Sequence, residues 1–272
     1  MKKTFLLTSF VALLAAQSAF AANFSIQNNT ASFWDIEYDF NNGDIWFNQG
    51  GNFPTITTAD QVLFTSKTAN STVNVINAAV SSKTLKVGSV GDAGNFTATL
   101  NVSQNFTTAD ILQVGVSANG ILNVDGAVVT SGGNATFGNT ATTGVMNITS
   151  GGIFETSGTF VMAENSTVTV DDGILKMLAG SGSRINMVGT TLLNLNGDSQ
   201  LWLGGNQTGA NSVFNGYIAS GLIKADGNVG AENFSQVFDG TNTIVTVIPE
   251  PATYAILGGL LVLGCAAARR SR

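Results

Sequence analysis

The sequence predicts an all-β protein built as a parallel β-helix, and three observations lead there. Two short strand-like markers recur along the body of the chain on one shared period. Each marker alternates apolar and polar residues, as a strand with one buried and one wet face requires. The spaces between the markers are rich in Gly, Asn, Ser and Thr, residues that favour tight turns, and long amphipathic helical periods are missing. A repeat of this length has the size of one coil of a solenoid, in which no coil can bury its own apolar face and each must be shielded by its neighbours.

Lys2 and Lys3 precede the apolar run from Phe5 to Ala16, and Ala19, Phe20 and Ala21 then form an A-x-A site. That order of charge, apolar core and small residues predicts a secretory signal peptide over residues 1–21, with Ala19 and Ala21 marking the signal peptidase site and the mature chain starting near Ala22. Residues 22–64 break the repeat pattern and concentrate aromatic residues: Phe33, Trp34, Tyr38, Phe40, Trp46, Phe47 and Phe53. Their density predicts an aromatic N-terminal cap over the first coil. A carbohydrate-stacking platform is the competing reading of the same residues.

The solenoid repeats and closing coils are expected over 65–247. In the first marker series, VNV, LNV, LNV, MNI, VTV and LNL, the central residues are Asn74, Asn101, Asn123, Asn147, Thr169 and Asn194, spaced 27, 22, 24, 22 and 25 apart. The second series ends at Gly88, Gly115, Gly138, Ala163 and Gly189, spaced 27, 23, 25 and 26 apart. A β-sandwich uses similar turns but does not require a constant coil length. Beyond Leu201 the short strands persist while the register is lost, which predicts atypical closing coils up to Val247.

Residues 248–272 form a separate unit: Pro249, Glu250 and Pro251, then seventeen uncharged residues from Ala252 to Ala268, then Arg269, Arg270 and Arg272. As a helix rising about 1.5 Å per residue, the uncharged run reaches about 25 Å, enough to cross a hydrocarbon core. The arginines should stay cytoplasmic, leaving the body outside the inner membrane. The two prolines keep helix out of the linker and leave an extended, accessible peptide at Glu250, which a processing enzyme needs and a permanent anchor does not.

Several functions are disfavoured by composition. Between Ala22 and Val247 six basic residues face sixteen acidic ones, a formal charge of −10 without a basic stripe, so nucleic acid is not an expected partner. Histidine is absent, which removes the commonest general base and the commonest metal ligand; no catalytic residue, metal site or cofactor is expected. The one cysteine, Cys265, lies in the terminal apolar run and reads as a passive thiol or a lipidation site. Asp171 and Asp172 read as formers of the turn before Gly173 and not as an acid/base pair. Eleven N-x-S/T sequons occur, with Asn70, Asn95, Asn134, Asn165 and Asn206 the candidate glycosylation sites. Asn and Thr also favour solenoid turns and stacked ladders, which create sequons incidentally.

The ending IPEPATYAILGGLLVLGCAAARRSR resembles the PEP-CTERM sorting signal of exosortase substrates, with its three parts in order. The body, with LQVG, GILNV, ATFG and GVMNITSGG, is similar to the β-solenoid repeats of PEP-CTERM and autotransporter-like proteins. The resemblance implies export, recognition at Pro249, Glu250 and Pro251 by an exosortase-like membrane enzyme, and processing there. It also implies association with exopolysaccharide and biofilm matrix. The expected function is that of a structural or adhesive cell-surface or extracellular-matrix protein, held briefly at the inner membrane by its C-terminal helix. A polysaccharide lyase or hydrolase on the same scaffold is the alternative.

Overall fold

The computed structural model describes residues 23–27, 38–39, 61–65, 70–75, 79–88, 96–178 and 185–248. The signal peptide, most of the aromatic segment and the tail from Pro249 lie outside them. The first strands are β1 (Asn23–Gln27), β2 (Tyr38–Asp39), β3 (Gln61–Thr65), β4 (Ser71–Val75) and β5 (Val80–Ser82). A regular triplet follows: β6 (Thr84–Val87), β7 (Thr97–Val102), β8 (Phe106–Thr108), then β9 (Leu112–Val114), β10 (Asn119–Asp125), β11 (Val128–Ser131). It recurs as β12 (Ala135–Phe137), β13 (Gly144–Thr149), β14 (Ile153–Thr156), then β15 (Phe160–Met162), β16 (Ser166–Asp171), β17 (Ile174–Met177). The last triplet is β18 (Ile185–Met187), β19 (Leu192–Asn196) and β20 (Gln200–Gly204).

Each of these strands pairs with its counterpart in the next coil and not with its sequence neighbour, which makes a stack of about five turns with three parallel sheets as its walls. The first sheet holds β1, β3, β6, β9, β12, β15 and β18; the second holds β2, β4, β7, β10, β13, β16 and β19; the third holds β5, β8, β11, β14, β17 and β20. The two marker series are the registers of the first two sheets. Asn74, Asn101, Asn123, Asn147, Thr169 and Asn194 are consecutive partners across the second sheet. Lys86, Gln113, Thr136, Val161 and Asn186 are consecutive partners across the first.

The alternation works as the sequence implies. In β10, Leu122 and Val124 are fully buried while Ile121 and Asn123 are part-exposed on the outer face. Inward residues from all three sheets form one continuous core, with Phe64, Phe106, Phe137, Phe154 and Phe160 among its largest members. At the end of the first-sheet strands the chain must turn sharply, and Gly88, Gly115, Gly138 and Gly189 take φ values of 73°, 71°, 66° and 72° there, a region that costs a side chain dearly. The one departure, Ala163, moves the left-handed residue two places on to Asn165 at φ 62°; asparagine tolerates that region because its short amide bonds locally.

A third column, which the sequence markers did not include, runs inside the third sheet at its corner with the first. Ser82, Thr108, Ser131 and Thr156 are consecutive partners and all fully buried. Two of the four hydroxyls bond at the corner to backbone carbonyls that also accept an N–H: Thr156 Oγ1 donates to the Gly133 carbonyl at 2.8 Å, and Ser131 Oγ donates to the Asp110 carbonyl at 3.2 Å, while Ser82 Oγ and Thr108 Oγ1 have no hydrogen-bond partner among the described residues.

The closing coils are atypical in a specific way. After β20 the chain forms α1 (Val213–Ala219), β21 (Ile223–Ala225), which extends the second sheet, and the antiparallel hairpin of β22 (Phe234–Phe238) and β23 (Asn242–Val247), which extends the third. Ser212 caps α1 by accepting the Asn215 N–H at 3.2 Å, and Phe214 and Ile218, one turn apart, are buried against the end of the core. Tyr217 Oη accepts the N–H of Met187 at 3.1 Å, so the last strand of the first sheet meets a side chain where another strand would stand.

The hairpin turn is held by Asp239, whose Oδ1 accepts the N–H groups of Asn242 at 2.7 Å and Thr241 at 2.8 Å. These bonds, Asn242 first, hold its carboxyl below the ordinary 3.8. A lowered folded value means the stabilisation is complete above pH 3.8 and is lost as pH falls through the folded value. Hydrogen exchange should therefore show the β22 and β23 amides losing protection first on strong acidification, and Asp239→Asn, which keeps the acceptor, should remove that acid step.

Candidate functional site

The most organised polar surface among the described residues is the outer face of the second sheet. Because the register brings Asn74, Asn101, Asn123 and Asn147 into one column, their amides bond head to tail along the solenoid axis. Asn101 Nδ2 donates to Asn74 Oδ1 at 2.8 Å, Asn123 Nδ2 to Asn101 Oδ1 at 2.7 Å, and Asn147 Nδ2 to Asn123 Oδ1 at 2.8 Å. Such a chain aligns the amide dipoles, and each bond polarises the next. Thr169 follows in register and, with no amide, ends the series.

The ladder forms the floor of an open groove of about 600 Å³, lined also by Val102, Ser103, Asp125 and Thr149. Thr149 Oγ1 donates to Asp125 Oδ1 at 3.2 Å, tying adjacent coils at the rim. On the other flank the outward column runs through Thr99, Ile121, Val145 and Thr167, all part-exposed. Replacing Asn123 with alanine removes two ladder bonds and leaves Asn101 Oδ1 and Asn147 Nδ2 to water, while the Asn101 bond to Asn74 remains. The expected loss is about 1–2 kcal/mol, measurable by urea denaturation, because each part-exposed bond contributes about 0.5–1.5 kcal/mol net.

Several sequons turn out to be coil-to-coil fasteners. Asn70 Oδ1 accepts the Thr97 N–H at 2.9 Å, Asn105 Oδ1 the Val128 N–H at 3.0 Å, and Asn134 Oδ1 the Thr159 N–H at 2.8 Å. Asn101 and Asn147 belong to the ladder. Of the candidate glycosylation sites, Asn70, Asn134, Asn165 and Asn206 are exposed, and Asn95 lies outside the described residues. Asn165 Nδ2 donates to the Asn139 and Thr140 carbonyls at 3.4 and 3.3 Å. Asn206 instead accepts both the N–H and the hydroxyl of its own sequon residue Thr208, at 3.1 and 2.8 Å.

Asp171 and Asp172 are exposed where β16 turns into β17. Asp172 takes φ 52° and its Oδ1 accepts the Asp198 N–H at 3.1 Å, bonds that serve the turn. Among the described residues no three His, Cys, Asp or Glu side chains gather where they could hold a metal ion. No helix among the described residues is long and apolar enough to cross a membrane. Ala19 and Ala21, the motif Pro249, Glu250 and Pro251, and the tail Arg269, Arg270 and Arg272 all lie outside the described residues.

The fold and this face together define a parallel β-solenoid with one amide-laddered wall. Compared with known proteins, the chain matches no family model, no curated protein and no solved structure. The ladder was visible in the sequence as a recurring central Asn, where it served as a mark of register. That the same residues build a surface depends on which face of the strand they occupy.

Proposed function

We propose that this is an exported structural or adhesive protein of the cell surface or extracellular matrix, sorted by an exosortase-like membrane enzyme acting at Pro249, Glu250 and Pro251. The supporting observation is a stacked-coil scaffold whose second sheet carries on its outer face a ladder of four asparagines bonded coil to coil, flanked by part-exposed Thr99, Ile121, Val145 and Thr167. A surface that repeats along an axis suits lateral contact with extended neighbours. The charged, apolar and small residues of the first 21 positions support export, and the Pro-Glu-Pro motif, apolar run and terminal arginines support a tethered intermediate whose body lies outside the inner membrane.

Intact-mass spectrometry of protein recovered separately from the envelope and the medium tests this. The expected species begins near Ala22 and, in the medium, ends near Glu250. A medium species that retains Arg272, or one that is found only inside the cell, would defeat the sorting proposal.

A further inference from the structure

We infer that the groove over the asparagine ladder binds a linear, uncharged polysaccharide lying along the solenoid axis. The inference takes its setting from the surface and matrix reading and its argument from the geometry of the second sheet. A carboxamide has two N–H donors and an acceptor oxygen with two lone pairs. At Asn101 and Asn123 the ladder uses one N–H and one acceptor site each, so a second N–H and a second lone pair remain, with no further partner among the described residues. Those spare groups recur once per coil, about 4.8 Å apart, in a row perpendicular to the strands.

A row of this kind selects its occupant. A peptide adds to a sheet by pairing with a free edge, and this is a face whose backbone groups are already spent on the coils above and below. A chain running along the axis must instead present hydroxyls or amides at regular intervals. Hydroxyls fit best, because each one donates and accepts, and a neighbouring pair of them can meet the N–H and C=O of one amide at once. The part-exposed Ile121 and Val145 beside the ladder offer apolar contact to the C–H face of a sugar ring, while on the opposite rim Ser103 and Thr149, whose hydroxyls already donate to the Val75 carbonyl and to Asp125, supply acceptor lone pairs.

Charge narrows the class further. The lining residues include one carboxylate, Asp125, and no lysine or arginine, so uronate or phosphate groups would meet a like charge and no counter-charge. The groove's volume of about 600 Å³ is that of a cleft for several sugar units.

Affinity electrophoresis of the mature protein through gels containing hydroxyethylcellulose, galactomannan or polygalacturonate tests the inference. Retardation by at least one neutral polymer and none by polygalacturonate is expected. Asn123→Leu should raise the apparent Kd at least about tenfold, and Asn123→Gln, which keeps the amide but displaces it by one methylene, should weaken binding less. Thr107→Ala, on the outer face of the third sheet, should bind as the unaltered protein does. Circular dichroism of each variant separates lost binding from lost fold, and Asn147→Gln carries the test should Asn123→Leu fail to fold. No retardation in either neutral polymer, preference for polygalacturonate, or undiminished binding by folded Asn123→Leu would overturn the inference. Cell fractionation that places the protein in the cytoplasm would sink the surface reading while leaving the binding result standing.

Discussion

Gly115→Ala is expected to destabilise the protein by about 3 kcal/mol or more. Two costs add at this position. Its φ of 71° lies in the left-handed region, where a Cβ costs about 1–2 kcal/mol. The added Cβ would also fall well inside contact distance of the Thr143 carbonyl in the next coil. That neighbour is backbone and cannot rotate away. Relief requires the coils to separate at Gly144, where the Gly120 N–H donates to the same Thr143 carbonyl at 2.9 Å. Because each coil is stabilised mainly by its nearest neighbours, the damage should divide the stack. Thermal unfolding followed by circular dichroism should show a lower, broader transition, and limited proteolysis should cut near the Gly115 corner. A sharp transition at the unaltered temperature would show that the close approach is not as drawn.

Phe154→Ala should cost about 3–5 kcal/mol, the range for deleting a fully buried phenylalanine. Phe154 comes from the third sheet and meets two residues of the first: Phe137 and Phe160, each with ring centroids 6.0 Å away and planes at 71° and 72°. Phe137 and Phe160 are themselves 5.1 Å apart on successive coils. The three rings therefore tie two walls and two coils together, and edge-to-face contacts of this kind contribute about 0.5–1.5 kcal/mol beyond burial. The walls are held apart by hydrogen-bonded ladders and cannot collapse into the space left behind. A fall in melting temperature on the order of 10 °C is expected; Phe154→Leu, which fills most of the volume, should recover much of it.

The aromatic triad and the Gly115 corner differ in how much of each the linear chain reveals. Gly115 stands in a recurring VG or FG position, so its need for a left-handed turn could be read from the repeat. Which carbonyl it approaches could not. Phe154 gave no periodic signal, because the third sheet varies more at its outward position: Ser81, Thr107 and Thr130 carry hydroxyls, but their register partners Glu155, Lys176 and Trp202 are acidic, basic and aromatic. Its inward Ser and Thr column was hidden for a related reason. A buried hydroxyl looks polar in a pattern that expects apolar residues, and only the fold shows that this column faces inward, with Ser131 and Thr156 reaching corner carbonyls and Ser82 and Thr108 reaching none.

The far end of the solenoid shows a second limit. Short strands such as IVTV were legible, but their direction was not. In this antiparallel strand Thr243, Val245 and Val247 face inward and Asn242, Ile244 and Thr246 outward, the same alternation that a parallel strand shows. Only the short link through Asp239 and Gly240 forces β23 to fold back beside β22. The helix α1 spans seven residues, two turns, too few for its Phe214 and Ile218 pair to stand out as a period.

By itself the sequence determined what repeats: a coil length, the alternation that puts one face of each strand inside, and glycine at the turn that only a residue without a side chain accepts easily. These are local demands of the backbone and of water, and they act wherever the residues are. The tertiary structure alone decided what the repeats meet. Register aligned four separate asparagines into one amide chain, and packing brought three phenylalanines from two sheets into contact. The ladder bonds, and the contact of Phe137 with Phe160, join residues more than twenty positions apart and depend on the order in which the coils stack, which no single coil's sequence contains.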